Sequence, residues 1–129
     1  MNAHWIKQLS CLLFVLGMFC FTLPGCSTGE GRNLPLNKDA AHQACESFLA
    51  AWKSGDRSID LEPDIIGKDE DWSAGQKLIS FEFLPDERSD GSNLHIPVRL
   101  TLANAQRQQS VLDVTYIVGT YPSVTVFRN

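Results

Sequence analysis

The sequence predicts an α+β domain in which one amphipathic helix, at the N-terminal end of the domain, packs on a four-stranded antiparallel β-meander. Apolar side chains recur every three or four residues between positions 39 and 54, a spacing typical of one helix face. From residue 76 onward apolar and polar side chains alternate, which is the period of half-buried strands. The connections between these alternating segments are short, and short connections join antiparallel neighbours. Residues 39–129 are therefore expected to form a single domain.

Residues 1–25 have the pattern of an export signal. An uncharged apolar run over residues 9–23 follows Lys7. A signal peptide needs about 7 to 15 apolar residues, whereas a membrane-spanning helix needs about 20. The alternative is an uncleaved signal anchor that uses Trp5 and Ile6 to lengthen its span. Both interpretations place the rest of the chain outside the cytoplasm.

The run ends in Leu23-Pro24-Gly25-Cys26, which resembles the lipobox of bacterial lipoprotein precursors. Pro24 stands where that family prefers Ala, Ser, Thr or Val. The resemblance implies cleavage between Gly25 and Cys26 and transfer of a diacylglyceryl group to the Cys26 thiol. It also implies acylation of the new amino group, and two or more acyl chains hold a protein stably on a membrane. The expected location is the periplasmic or other extracytoplasmic face of the cell envelope, with the membrane bound through the lipid anchor.

Charge and cysteine content exclude several classes of protein. Lys7 is the only basic side chain in residues 1–25, so the remainder keeps ten of the eleven Lys and Arg against fifteen Asp and Glu. This acidic balance argues against a nucleic-acid partner. Cys11 and Cys20 leave with the signal and Cys26 is expected to carry lipid. Only Cys45 then remains, which excludes an internal disulfide.

A flexible tether and one helix are predicted at the start of the exported chain. Residues 26–38 contain two Gly and one Pro and no apolar period, as in a flexible linker. The helix is expected from Asp39 to Ser54, with Asn37 or Asp39 as its N-cap and Gly55 closing its end. One stripe of that helix is apolar: Ala41, Ala44, Cys45, Phe48, Leu49 and Trp52.

Residues 56–75 are rich in acidic side chains and predict a long loop, attached to the core by Ile65, Ile66 and Trp72. Four of its acidic residues occupy positions 1, 3, 5 and 12 of a calcium-binding loop, namely Asp60, Glu62, Asp64 and Asp71. Ile65 stands at position 6, where that loop requires Gly. The segment is therefore interpreted as a solvated acidic loop, and no metal site is predicted.

Four strands follow. The first begins near Gln76 and ends before Pro85, with Ile79, Phe81 and Phe83 on one face. The others are expected at residues 94–103, 110–118 and 124–127, separated by polar turns. Pro97 cannot donate to a sheet hydrogen bond, which predicts an edge position or a bulge in the second strand.

A helix laid across an antiparallel meander resembles the cystatin-like and NTF2-like superfolds over residues 39–128. Four segments also resemble short exported domains of planctomycete proteins: the region around Trp72, residues 78–82, residues 97–101 and residues 114–120. These resemblances imply the fold and the compartment but no activity.

Two groups of side chains are candidates for function. His95, Arg99, Thr101, Asp113 and Thr115 are expected to share the sheet face that points away from the helix. There, Arg99 facing Asp113 is interpreted as a structural ion pair, and the alternative is that the five residues form a ligand or partner surface.

His42 and Cys45 lie three residues apart on the helix, a spacing that permits a thiolate and base pair. The apolar neighbours of Cys45 instead favour a buried core thiol.

The chain has no Gly-rich phosphate loop, no HExxH and no CxxC motif. We therefore expect no enzyme and no cofactor, but a membrane-anchored exported lipoprotein that acts as a binding or accessory module. The rival hypothesis is an NTF2-like pocket enzyme or small-ligand binder. Such enzymes carry acid and base groups on the concave sheet face, where this chain is expected to have Ile, Phe, Val and Leu.

Overall fold

The structure, a computed structural model, describes residues 36–129. This part of the chain has one long helix, two short helical segments and six strands. The helical segments are α1 (Lys38–Ser54), a 3-10 helix (Ser58–Leu61) and α2 (Glu70–Ser73). The strands are β1 (Ile66–Lys68), β2 (Lys77–Phe83), β3 (Arg88–Ser89), β4 (Asn93–Ala103), β5 (Gln109–Gly119) and β6 (Thr125–Arg128).

The α+β class is confirmed, but the predicted number of strands is wrong. The sheet has six strands rather than four. The helix begins at Lys38, so it is not at the N-terminus of the chain. None of the helices in residues 36–129 is long and apolar enough to cross a membrane.

Helix α1 begins and ends where its capping residues predict. The Asn37 side chain accepts a hydrogen bond from the backbone N–H of Ala40 at 3.0 Å, so it satisfies a donor that the first turn leaves free. Gly55 adopts φ of 87°, in the left-handed region, and its N–H donates to the carbonyl of Trp52 at 3.0 Å. All six side chains of the predicted apolar stripe are buried.

The strands form one sheet in the order β1-β6-β5-β4-β2, and β3 also pairs with β4. The pairs β2–β4, β3–β4, β4–β5 and β5–β6 are antiparallel, as a meander requires. β1 instead runs parallel to β6, with Ile66 opposite Thr125. The segment predicted as one long loop therefore contributes a 3-10 helix, an edge strand and a short helix.

Helix α1 covers one face of the sheet, here called the inner face, and the opposite face is called the outer face. The inner face and α1 together bury a continuous apolar core. Its buried members are Ala41, Ala44, Cys45, Phe48, Leu49, Trp52, Leu78, Leu94, Ile96, Val98, Leu100, Leu102, Tyr116, Val118 and Val126. Burial of each large side chain contributes about 1.5–3 kcal/mol, so this contact is the main source of stability.

A bulge reverses part of the predicted alternation in β2. The register shifts between Leu78 and Ser80, and Ile79 is the extra residue. As a result Leu78 is buried, whereas Ile79 is 40 % exposed. Phe81 and Phe83 lie on the inner face as expected, but each is only partly buried. The prediction that Ile79 shares their face was wrong because a single inserted residue inverts the side-chain period.

Pro97 lies within β4 at the point where the neighbouring strand changes. On one side it pairs in regular register with Thr115 of β5. On the other side its carbonyl accepts from the N–H of Leu84 at 2.9 Å, just after β2 ends and before β3 begins. The nitrogen and the carbonyl of one residue in an antiparallel strand point to the same side. The nitrogen of Pro97, which carries no hydrogen, therefore points to the break between β2 and β3. The sheet bulge lies in β2, not at Pro97.

Candidate functional site

The five residues predicted to form a ligand or partner surface all lie on the outer face. Their neighbours in the chain alternate into the core, and the β4–β5 register places Arg99 opposite Asp113 and Pro97 opposite Thr115. Thr101 pairs with Val111 and His95 pairs with Ile117 on the same face. The structure thus brings the five side chains together on two adjacent strands.

Arg99 and Asp113 form a two-pronged ion pair across β4 and β5. Arg99 Nε donates to Asp113 Oδ1 at 2.8 Å, and Arg99 Nη2 donates to Oδ2 at 2.9 Å. The hydrogen bond raises the pKa of Arg99 and lowers that of Asp113. Both side chains are about half exposed, so the pair is screened by water and adds little to stability. The two hydrogen bonds nevertheless fix the orientation of both charges on the outer face.

His95 is held in place by Asp90, an acidic residue of the β3–β4 turn. His95 Nε2 lies 2.9 Å from Asp90 Oδ2, while Asp90 Oδ1 accepts from the backbone N–H groups of Ser92 and Asn93. The hydrogen bond with His95, together with those backbone donors, holds the pKa of Asp90 well below its ordinary range. His95 is 13 % exposed, and its Nδ1 has no hydrogen-bond partner within residues 36–129.

A row of four side chains crosses the outer face, with the apolar Ile117 and Phe127 at its centre. The strand registers place His95, Ile117, Phe127 and Lys68 next to one another on β4, β5, β6 and β1. Phe127 is 43 % exposed and Ile66, two residues before Lys68, is 38 % exposed. Sequence reasoning did not select this row, because the parallel pairing of β1 with β6 that assembles it leaves no local pattern.

The one buried charged residue of the described chain, Asp69, was also missed. It is the N-cap of α2, and its Oδ1 accepts from the N–H groups of Asp71 and Trp72 at 2.8 and 3.2 Å. Its Oδ2 accepts from the Tyr116 hydroxyl at 2.6 Å. Arg128 Nη1 donates to both carboxylates, Asp69 at 3.3 Å and Asp71 at a shorter distance. This Asp69 cluster (Asp69, Asp71, Tyr116 and Arg128) ties α2 to β5 and β6.

The electrostatics of the Asp69 cluster indicate a structural role. Burial, the hydrogen bond to Asp69 and the negative charge of Asp69 raise the pKa of Tyr116 far above its ordinary range, so the hydroxyl stays a donor. Burial would lower the pKa of Arg128, but the Asp71 hydrogen bond and the acidic charges outweigh it and raise that pKa. The carboxylate of Asp69 is fully buried and already has four donors. It therefore lacks the accessible lone pair that a general base needs.

The helix pair His42 and Cys45 does not form a catalytic dyad. His42 Nε2 pairs with Glu87 and its ring contacts the edge of Phe83, with 5.6 Å between ring centroids. Cys45 is buried, and burial raises the pKa of its thiol to about 12. The interpretation of Cys45 as a core residue agrees with this burial.

The surface of residues 36–129 includes two shallow clefts near α1. One, of about 260 Å³, lies at the end of α1 and is lined by Trp52, Gly55, Asp56, Trp72, Gly75, Gln76 and Lys77. The two indoles stack at 5.6 Å, but both N–H groups already donate to backbone carbonyls, Trp52 to Gln76 and Trp72 to Asp56. The other, of about 250 Å³, lies between α1 and the residues preceding β1 and β6. Residues 36–129 contain no group of three or more His, Cys, Asp or Glu arranged to hold a metal ion.

The predicted lipidation site at Cys26, the cleavage site after Gly25 and most of the predicted tether lie outside the described residues. Comparison with protein families, curated proteins and solved structures finds no match to this chain.

Proposed function

We propose that this chain is an exported lipoprotein, anchored through Cys26, whose domain binds a protein partner through its outer face and has no catalytic activity of its own. The observation that carries the proposal is that one face of the sheet is covered and the other is open. Helix α1 covers the inner face, whereas no element of residues 36–129 is assigned to the outer face, where Phe127 and Ile66 remain exposed.

The composition of the outer face suits a protein partner. The apolar side chains of Ile117 and Phe127 share the outer face with the Arg99–Asp113 pair and the two threonines. Protein interfaces commonly combine an apolar centre with a polar rim that fixes orientation. Both strands that carry the polar groups are eleven residues long and belong to the sheet interior, so the surface is rigid and costs little conformational entropy to bind.

The interior favours a binding module over the rival pocket enzyme. Apolar side chains fill the space between α1 and the sheet, and the buried carboxylate at its margin, Asp69, is saturated by its donors. A pocket enzyme needs polar groups that a substrate can reach. The cystatin-like or NTF2-like kinship is part of this proposal, supported by one long helix on a mainly antiparallel sheet.

The anchor is tested by metabolic labelling with radioactive palmitate. The proposal expects labelling of the wild-type chain and of Cys45→Ser, and none of Cys26→Ser. Cys45→Ser is the matched control because it removes the other thiol expected in the exported chain. Labelled Cys26→Ser protein would refute lipidation at this residue.

The partner surface is tested by substitutions that change the outer face without touching the core. The partner is first captured by chemical cross-linking in intact cells and then measured in each variant. Phe127→Ser and Arg99→Glu are expected to reduce the adduct at least about tenfold, as central interface residues commonly do. Tyr121→Ser is the control, because Tyr121 is 68 % exposed but lies in the β5–β6 loop. Equal losses in all three variants, or none, would contradict the assigned face.

A further inference from the structure

The free edge of β2 has a symmetric order of side chains and plays no part in the proposed function. β2 is the last strand of the sheet, so within residues 36–129 the edge of β2 that points away from β4 pairs with no strand. An edge of this length presents unpaired backbone N–H and C=O groups, which can pair with another chain. The edge is also partly apolar, since Ile79 is 40 % exposed and both phenylalanines of β2 are only half-buried.

The bulge gives β2 a palindromic arrangement of side chains. Lys77, Ile79, Ser80 and Glu82 lie towards the outer face, because Ser80 pairs with Thr101 and Ile79 is the exposed extra residue. Leu78 and Phe81 lie on the inner face. From residue 77 to residue 82 the order is therefore outer, inner, outer, outer, inner, outer, which reads the same in both directions.

This order selects one antiparallel register between two copies. Side chains directly opposite each other in an antiparallel pair must share a face. The palindrome meets that condition when Lys77 lies opposite Glu82, Leu78 opposite Phe81 and Ile79 opposite Ser80 of the second copy. Moving the register by one residue in either direction places outer residues opposite inner ones. The register centred between Ile79 and Ser80 also joins opposite charges, twice by symmetry.

We propose that β2 pairs with β2 of a second copy of this chain about a two-fold axis between Ile79 and Ser80, with reciprocal Lys77–Glu82 ion pairs. The two sheets then form one continuous sheet, and each Leu78 packs beside Phe81 of the other copy under the two helices. Charged side chains on an edge strand ordinarily discourage pairing. Here they attract a strand with the reverse order of charges, which a second copy supplies. The proposal is independent of the anchor and of the outer-face partner.

The test is a charge-reversal exchange, measured by sedimentation velocity on the full chain in a neutral detergent. Lys77→Glu and Glu82→Lys alone each replace two attractive pairs by two repulsive ones. Each should therefore weaken self-association at least about tenfold. Mixing the two variants restores opposite charges at both positions, so a dimer should re-form at wild-type strength. The double variant Lys77→Glu/Glu82→Lys should also dimerise by itself.

Lys38→Glu is the matched control, because Lys38 is an exposed lysine in α1, outside β2 and outside the proposed partner surface. It should leave association unchanged, and thermal melting should show that every variant is folded. A wild-type chain that is monomeric at about 100 µM overturns the proposal, because a dimer that forms at cellular concentrations has a Kd below this value. The same result is expected if another segment of the chain covers the edge of β2, and it overturns the proposal in that case too. Dimers that ignore the single reversals, or single variants that fail to recover on mixing, also overturn it.

Discussion

Removing the buried carboxylate of Asp69 is expected to destabilise the domain by about 3–5 kcal/mol, the usual cost of removing one partner from a buried charged pair. Asp69→Ala leaves the Tyr116 hydroxyl and the amides of Asp71 and Trp72 without their acceptor. Arg128 is 20 % exposed and keeps Asp71 as a partner, so the lower part of that range is expected.

Thermal denaturation followed by circular dichroism measures this cost. Each 1 kcal/mol lowers the Tm of a domain of this size by about 4–8 °C, so Asp69→Ala should lower it by at least about 12 °C. Tyr116→Phe removes only one hydrogen bond to a charged acceptor, which typically costs about 1.5–3 kcal/mol. Asp113→Ala is the control, since it removes an exposed carboxylate and should change the Tm little.

The double variant Asp69→Ala/Tyr116→Phe tests whether the stability losses of the two single variants are coupled. The Asp69 and Tyr116 side chains share a 2.6 Å hydrogen bond, so the combined loss should be smaller than the sum of the two single losses by about 0.5–3 kcal/mol. A Tm shift below about 3 °C for Asp69→Ala would refute the cluster as a stabilising contact. Fully additive losses would refute the direct link between α2 and β5.

Further predictions concern packing and ionisation in the core. Gly67→Ala should cost about 1–3 kcal/mol in a thermal melt, because the new Cβ would press on the Phe48 ring and lie 2.9 Å from the Val126 carbonyl; an unchanged Tm would contradict this close approach. The contribution of Cys45 and Tyr116 to stability should be constant below about pH 9, and stability should fall from there towards pH 12, because the unfolded chain then ionises groups that stay neutral when folded: the Cys45 thiol, whose pKa is about 12 rather than 9.0, and the Tyr116 hydroxyl, whose pKa is also raised. Chemical denaturation across that range should show a smaller fall for Cys45→Ala, and an identical fall would remove the thiol from the explanation. Native Cys45 should react with a maleimide far more slowly at pH 7 than in denaturant, as site-resolved mass spectrometry can measure; equal rates would contradict its burial.

Periodic segments of this chain were predictable because a long pattern averages over local exceptions. The stripe from Ala41 to Trp52 predicted α1, and the alternation of β4 predicted both the strand and the face that holds Arg99. The α2 cap was also readable in principle, since Asp69 precedes two acidic residues, as at many helix starts.

Features that depend on distant or single residues were not predictable. β1 has three residues, and it becomes a strand only because β6, close to the other end of the sequence, pairs with it. The bulge at Ile79 changes one residue but inverts the side-chain faces around it. Asp69 was grouped with its solvated acidic neighbours, because nothing local shows that Tyr116 and Arg128 meet it in the fold.

The most direct test of the proposed function is photo-cross-linking in intact cells from single positions on the domain. A photoreactive amino acid at Thr115 samples the outer face, and the same group at the exposed Glu46 samples the far side of α1. We expect binding at the outer face, with a discrete protein adduct from Thr115 and none from Glu46. An adduct from Glu46 in the absence of one from Thr115 would contradict it, and so would equal adducts from both positions.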